Sequence, residues 1–173
     1  MAKKSKNIKA AIAKDAHPVP MRDFSRSLPM ALLRARETVM RQFRPNLRRH
    51  DLTEQQWRIL RALAAVDAIE ATELARVAFL LGPSLSRILR DLEGRGLIAR
   101  TVDENDLRRR LLTISPRGLK LIAKVAPDSE AVYGAIASRY GARRLAALHK
   151  MLEALERSVE GFDDARGDAK NED

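Results

Sequence analysis

Residues 82–98 read Gly82-Pro83-Ser84-Leu85-Ser86-Arg87-Ile88-Leu89-Arg90-Asp91-Leu92-Glu93-Gly94-Arg95-Gly96-Leu97-Ile98, and this stretch decides the fold. Pro83 suits the first turn of a helix, where its missing N–H would have no partner anyway. Leu85, Ile88, Leu89 and Leu92 recur at helical spacing and define an apolar face. Ser84, Ser86, Arg87 and Arg90 fall on the other side, and Gly94 and Gly96 end the run. The pattern predicts a helix from Pro83 to about Arg95, buried along one stripe and cationic along the other.

Its neighbours give the helix a context. Ala71-Thr72-Glu73-Leu74-Ala75 reads as a short helix, and Leu81-Gly82-Pro83 supplies a turn between the two. Two short helices joined by a tight turn outline a helix-turn-helix. Downstream, residues 97–102 and 110–114 are strand candidates flanking Asp103-Glu104-Asn105-Asp106-Leu107-Arg108-Arg109, a hairpin with an acidic and then basic tip.

Further out, helical signals dominate. Leu28, Leu32, Ala35, Val39, Phe43 and Leu47 predict a helix from Leu28 to about Arg49, with Pro45 expected to bend or break its end. Thr53 and Gln56 form a capping box ahead of Trp57, Ile59, Leu60 and Leu63, so a second helix starts there. Ser115-Pro116 opens another helix, running to about Tyr140 past Pro127. After Gly141, Leu145, Leu148, Leu152, Leu155 and Val159 mark a final amphipathic helix. The expected organisation is a basic arm over 1–22, a helical dimerisation region over 23–50 and 116–162, a DNA-binding unit over 51–115, and a disordered tail over 163–173. The fold class is mostly α with a small β-wing.

Composition narrows the function. Aromatic residues make up 4% of the chain against 45% hydrophobic residues in total, which favours helices over sheets. Cysteine is absent and the three histidines, His17, His50 and His149, are far apart; no metal or cofactor is expected. A nucleophile–base pair and a Gly-rich phosphate loop are also missing, so an enzyme is not expected. The N-terminus lacks the apolar core of a secretory signal and no apolar stretch is long enough to span a membrane, so a cytoplasmic protein without a membrane partner is expected. The formal net charge is +10, and residues 1–50 hold 13 Lys and Arg against 3 Asp and Glu. That balance favours a polyanionic partner.

The segment GPSLSRILRDLEGRGLI (82–98) and the following DENDLRRRLLTISPRG (103–118), in this order of helices, resemble the MarR family of winged helix-turn-helix transcription regulators. The likeness spans roughly residues 28–160. Residues 27–63 are similar to the subgroup controlling operons for homoprotocatechuate (3,4-dihydroxyphenylacetate) degradation. The physics agrees, because a helix of this size fits a major groove about 12 Å wide, and serine and arginine suit phosphates and the acceptor pair of guanine. Ser84, Ser86, Arg87 and Arg90 form the recognition set; Asp91 or Glu93 could divert Arg90. In the wing, Asp106, Arg108 and Leu112-Thr113 match the family pattern. The resemblance implies that Asp106 orients an arginine, Arg108 or Arg109, for the minor groove; the plain alternative is a surface ion pair worth about 0–1 kcal/mol.

The outer helices carry more apolar surface than a small winged domain can cover, which implies a homodimer reading a pseudo-palindrome with half-sites about 10 base pairs apart. The resemblance further implies a small aromatic acid effector that releases DNA, and hence a repressor of aromatic catabolism. Arg34 could take the effector carboxylate or pair with an acidic neighbour or solvent; Ser27 and Met30 could line the same cleft, and Trp57 reads as core before ligand platform. The competing function is a DNA-coating or architectural protein that ignores sequence. Replacing Arg108 and Arg109 together is expected to collapse affinity for the cognate duplex without lowering Tm; unchanged affinity in a gel-shift titration would reject the wing assignment.

Overall fold

The computed structural model of the chain describes residues 23–102 and 110–168. Among them, after a 3-10 turn at Phe24–Arg26, six helices and three strands follow: α1 (Leu28–Arg49), α2 (Glu54–Leu63), β1 (Ile69–Glu70), α3 (Ala71–Val77), α4 (Gly82–Gly94), β2 (Ile98–Val102), β3 (Arg110–Ile114), α5 (Pro116–Tyr140) and α6 (Ala142–Asp168). The mostly helical expectation and the two strands beside the hairpin are borne out. The chain divides into two units, one ending at Arg41 and the other starting at Gln42.

The first unit contains the N-terminal part of α1, on which Leu28, Leu32, Leu33 and Val39 are exposed. The second unit holds the core. Leu47 and Leu52 meet Ile59, Leu60 and Leu63 of α2, Leu74 of α3, Leu85, Leu89 and Leu92 of α4, and Leu112 of β3, with Val125 of α5 closing the cluster. Burying such a stripe from each helix is what holds these short elements in place, since helices of this length are marginal alone.

Local chemistry sets the element ends. The predicted capping box forms: Gln56 N–H donates to Thr53 Oγ1 at 3.2 Å and Thr53 N–H to Gln56 Oε1 at 2.8 Å. At the start of α5, Ser115 Oγ accepts from Gly118 N–H at 3.0 Å and donates to the Gly96 carbonyl at 2.7 Å. Helices α1, α3 and α4 all end in the same way, with a left-handed residue and a pair of backbone bonds folding the chain back. Asp51 (φ 52°), Phe79 (φ 50°) and Gly96 (φ 65°) occupy that position. The returning bonds are Leu52 N–H to Leu47 O, Leu80 N–H to Ala75 O and Leu97 N–H to Leu92 O.

The sheet is antiparallel in the order β1-β3-β2, with Arg100 opposite Leu112 and Ile69 opposite Leu112 on its other side. Strand β1 was not expected; at two residues it is too short to show a hydrophobic alternation. Pro45, expected to bend or break α1, does not break it. The helix runs through it to Arg49 because Phe43, Asn46 and Leu47 on either side are buried, and Asn46 Nδ2 donates to the Val125 carbonyl of α5 at 3.2 Å. Burial of that turn outweighs one missing backbone bond. Helix α6 also runs on to Asp168, past the boundary expected at 162. With no proline there, extending an existing helix is cheap even through polar sequence.

Gly118 is where α5 touches the sheet. A Cβ at this position would lie 2.2 Å from the Leu97 carbonyl oxygen and 2.8 Å from Ile114 Cγ1. Gly118→Ala is therefore expected to destabilise the chain by about 1–3 kcal/mol, through overpacking against backbone. Thermal unfolding checks this, and an unchanged Tm would contradict the close approach.

Candidate nucleic-acid interface

Helix α4 follows α3 through the turn Ala78–Leu81, and its rotation is set from inside. Leu85, Leu89 and Leu92 are buried in the core and Ile88 packs against it. From the side, Gln56 Nε2 donates to Asp91 Oδ2 at 2.7 Å, so the residue that caps α2 also holds α4. Arg58 Nη1 donates to the Ala78 carbonyl at 2.7 Å, tying α2 to the end of α3. Gln56 and Arg58 are positioning residues: the sequence reading named Gln56 only for its part in the capping box, and Arg58 not at all.

The outward face carries the expected set: Ser84, Ser86, Arg87 and Arg90 are all exposed. Which cations are available follows from the ion pairs. Asp91 pairs with Arg95 (3.5 Å) and Glu93 with Arg100 (2.9 Å), so neither carboxylate diverts Arg90, whose Nε instead donates to the Ser86 carbonyl one turn back at 3.4 Å. On α3, Arg76 grips Glu73 with two guanidinium bonds, which hold that carboxyl below its ordinary range. The Arg87 side chain makes no hydrogen bond or ion pair among the described residues. Asp91 and Glu93 thus pair with Arg95 and Arg100, and among the described residues neither Arg87 nor Arg90 forms an ion pair. An exposed helix with two hydroxyls and two such guanidinium groups can dock on phosphates and base edges.

The wing residues Asp106, Arg108 and Arg109 lie outside the described residues. Strands β2 and β3 lead to them, with Val102 paired to Arg110 at the last rung.

The residues considered for an effector fall in both units. In the first, Ser27 and Met30 are half-buried and Arg34 is exposed, its carbonyl accepting from Thr38 Oγ1 at 2.8 Å. The expectation that Arg34 sits on a largely buried helix does not hold within one chain, because the apolar residues beside it are themselves uncovered. In the second, Trp57 is half-buried against the core, with the Arg61 guanidinium carbon 5.7 Å from its ring centroid. Among the described residues no cluster of His, Cys, Asp and Glu could hold a metal ion, and no helix is long and apolar enough to cross a membrane.

Comparison with known proteins gives this geometry a setting. The MarR family model matches residues 50–109, the stretch between α1 and β3. The homoprotocatechuate degradative operon repressor of Escherichia coli is 39% identical over 127 residues, covering 73% of this chain and 86% of that protein. Among solved structures, NadR in complex with 4-hydroxyphenylacetate superposes with a TM-score of 0.69 at 36% identity, covering 79% of this chain and 97% of that one. The transcriptional repressor CouR bound to a 23-mer DNA duplex gives 0.71 at 28% identity, covering 81% and 99%.

The two faces of α4 are expected to separate in mutagenesis. Alanine at Ser84, Ser86, Arg87 or Arg90 should change stability by no more than about 0.5 kcal/mol, as for other exposed positions. Leu89→Ala should cost about 2–5 kcal/mol. Chemical denaturation of each variant checks the division, and a large loss from the outer face would mean that face is packed rather than presented.

Proposed function

Because this chain belongs to the MarR family, we propose that it is a sequence-specific DNA-binding transcription regulator and not an enzyme: a cytoplasmic homodimeric repressor whose α4 enters the major groove. The observation that carries this reading is the exposed cationic face of Ser84, Ser86, Arg87 and Arg90 on a helix whose other side is locked in the core. Such a helix places its N-terminal residues at base edges when it lies in the groove. The wing residues Asp106, Arg108 and Arg109 add a minor-groove contact in this proposal.

The dimer rests on uncovered apolar surface. In the first unit Leu28, Leu32, Leu33 and Val39 are 40–51% exposed, and in the second Tyr133, Tyr140 and Met151 are 46–61% exposed. Apolar surface at helical spacing over several helices marks a protein–protein interface. A two-fold dimer then presents two copies of α4 about one DNA turn apart.

The effector in this proposal is a small aromatic acid whose binding releases DNA, and the regulated genes serve aromatic catabolism. Similarity to the homoprotocatechuate operon repressor and to the complex of NadR with 4-hydroxyphenylacetate supports that class. Ser27 just before α1, Met30 and Arg34 on α1, and separately Trp57 on α2, are the residues to test for effector contact.

Selection from a random duplex library is expected to yield a pseudo-palindrome bound about 10³-fold or more above random DNA. Arg87→Ala should weaken that duplex by about 1–3 kcal/mol and relax one position of the consensus. Binding that is tight but never enriches a sequence would instead identify a DNA-coating protein. For the effector, a panel of phenolic acids is expected to include a compound that stabilises the chain by about 2.7 kcal/mol at a hundred times its Kd and that lowers duplex affinity. A panel with no thermal shift would contradict release by an aromatic acid.

A further inference from the structure

Two residues of the turn before α4 break local rules in the same direction. The left-handed cap position that ends α1, α3 and α4 holds Asp51, Phe79 and Gly96 in turn. Glycine has no steric objection to that conformation, and a short polar side chain such as aspartate tolerates it. Phenylalanine does neither. A strained residue of this kind is normally retained because its side chain packs, yet Phe79 is 84% exposed. Two residues on, Leu81 is the N-cap of α4 with φ −73° and ψ 144°, and it makes no side-chain hydrogen bond to the helix. Serine, threonine, asparagine or aspartate there would satisfy one of the orphan N–H groups. Leu81 is instead an apolar side chain 79% exposed to water. The intervening Leu80 and the preceding Ala78 face the core, so the turn alternates inward and outward.

Each position therefore has an obvious replacement that would stabilise the isolated chain, and each holds a large apolar group in solvent. An outlier that the chain's own packing does not explain points to use elsewhere. We infer that Phe79 and Leu81 are specificity residues, packing against thymine methyl groups at the edge of the half-site read by the first turn of α4. This rests on the DNA-binding reading above and adds to it an apolar component that the serine and arginine set lacks. The occupant follows from place and size. Phe79 and Leu81 adjoin the N-terminal end of α4, whose first two turns carry Ser84, Ser86 and Arg87, the end of a recognition helix that meets base edges. The C5 methyl of thymine is the apolar group presented in the major groove, and phenylalanine is among the side chains that read it. A second copy of the chain is a poor fit, because two side chains fall far short of the roughly 800 Å² per partner of a stable interface. Such an interface would also bury Arg87 against no counter-charge.

The test uses the full chain, the duplex it selects from a random library, and that duplex with each thymine replaced in turn by deoxyuridine, which removes only the methyl. Phe79→Gly is expected to raise Tm by about 2–4 °C and yet to weaken the selected duplex by roughly tenfold, the scale of one mismatched base pair. Leu81→Ser is expected to weaken the duplex similarly with no loss of Tm. Wild type should lose affinity on deoxyuridine at particular positions; Phe79→Gly and Leu81→Ser should each be insensitive at one of them, while Arg87→Ala keeps the wild-type sensitivity. Variants that bind as tightly as wild type, or that lose the same factor on every deoxyuridine duplex, overturn the inference while the Arg87 effect leaves the regulator reading intact. A wild-type chain that selects no sequence overturns that reading itself and the inference with it.

Discussion

Burial of Leu85, Leu89 and Leu92 fixes the rotation of α4 about its own axis, and most of the molecule's meaning follows from that. These side chains share one core with Ile59, Leu60 and Leu63 of α2 and Leu74 of α3. Once they are inside, the helical repeat leaves Ser84, Ser86, Arg87 and Arg90 no choice but the outside. Rotating α4 to hide the arginines would expose three leucines and bury two cations, each far more costly than any surface ion pair could repay. The polar link from Gln56 to Asp91 and the Arg58 bond to the end of α3 then hold the helix against its neighbours. Presentation of the cationic face is thus a consequence of packing, and its charge stays available because Arg95 and Arg100 occupy the nearby carboxylates.

Much of this was legible in the sequence, for reasons that also explain what was not. An amphipathic helix announces itself through spacing, so α4, α2 with its Thr53–Gln56 box, and the start of α5 at Ser115-Pro116 could all be placed. Position-specific backbone chemistry is quieter. Pro45 signals a break by its own chemistry, but buried neighbours on both sides carry α1 through it, and burial is a property of the fold. Strand β1 comes from pairing with β3 and has no pattern of its own. Phe79 and Leu81 were passed over because apolar residues in a turn carry no periodicity; only the backbone angle and the exposure set them apart. The wing tip, with Asp106, Arg108 and Arg109, stands on the sequence reading alone.

The exposed surface of the chain divides by chemistry. Apolar residues on the N-terminal part of α1, and on α5 and α6, lie at helical spacing on long elements, the form that a helical dimer interface takes. The apolar pair at Phe79 and Leu81 is small, sits on a turn and borders a cationic face. The first kind of surface suits a second protein chain, and the second suits a nucleic acid, where local stability is given up for recognition.

Because the chain has no cysteine, Ser86→Cys supplies a single thiol on the outer face of α4. Disulfide cross-linking of this variant to its selected duplex, with a thiol tether placed on one base at a time in either groove, tests the central claim most directly. The account predicts cross-links from major-groove tethers at two symmetric positions about 10 base pairs apart, and none from minor-groove tethers. Cross-linking from the minor groove, or none at all from a duplex that remains bound, would contradict it.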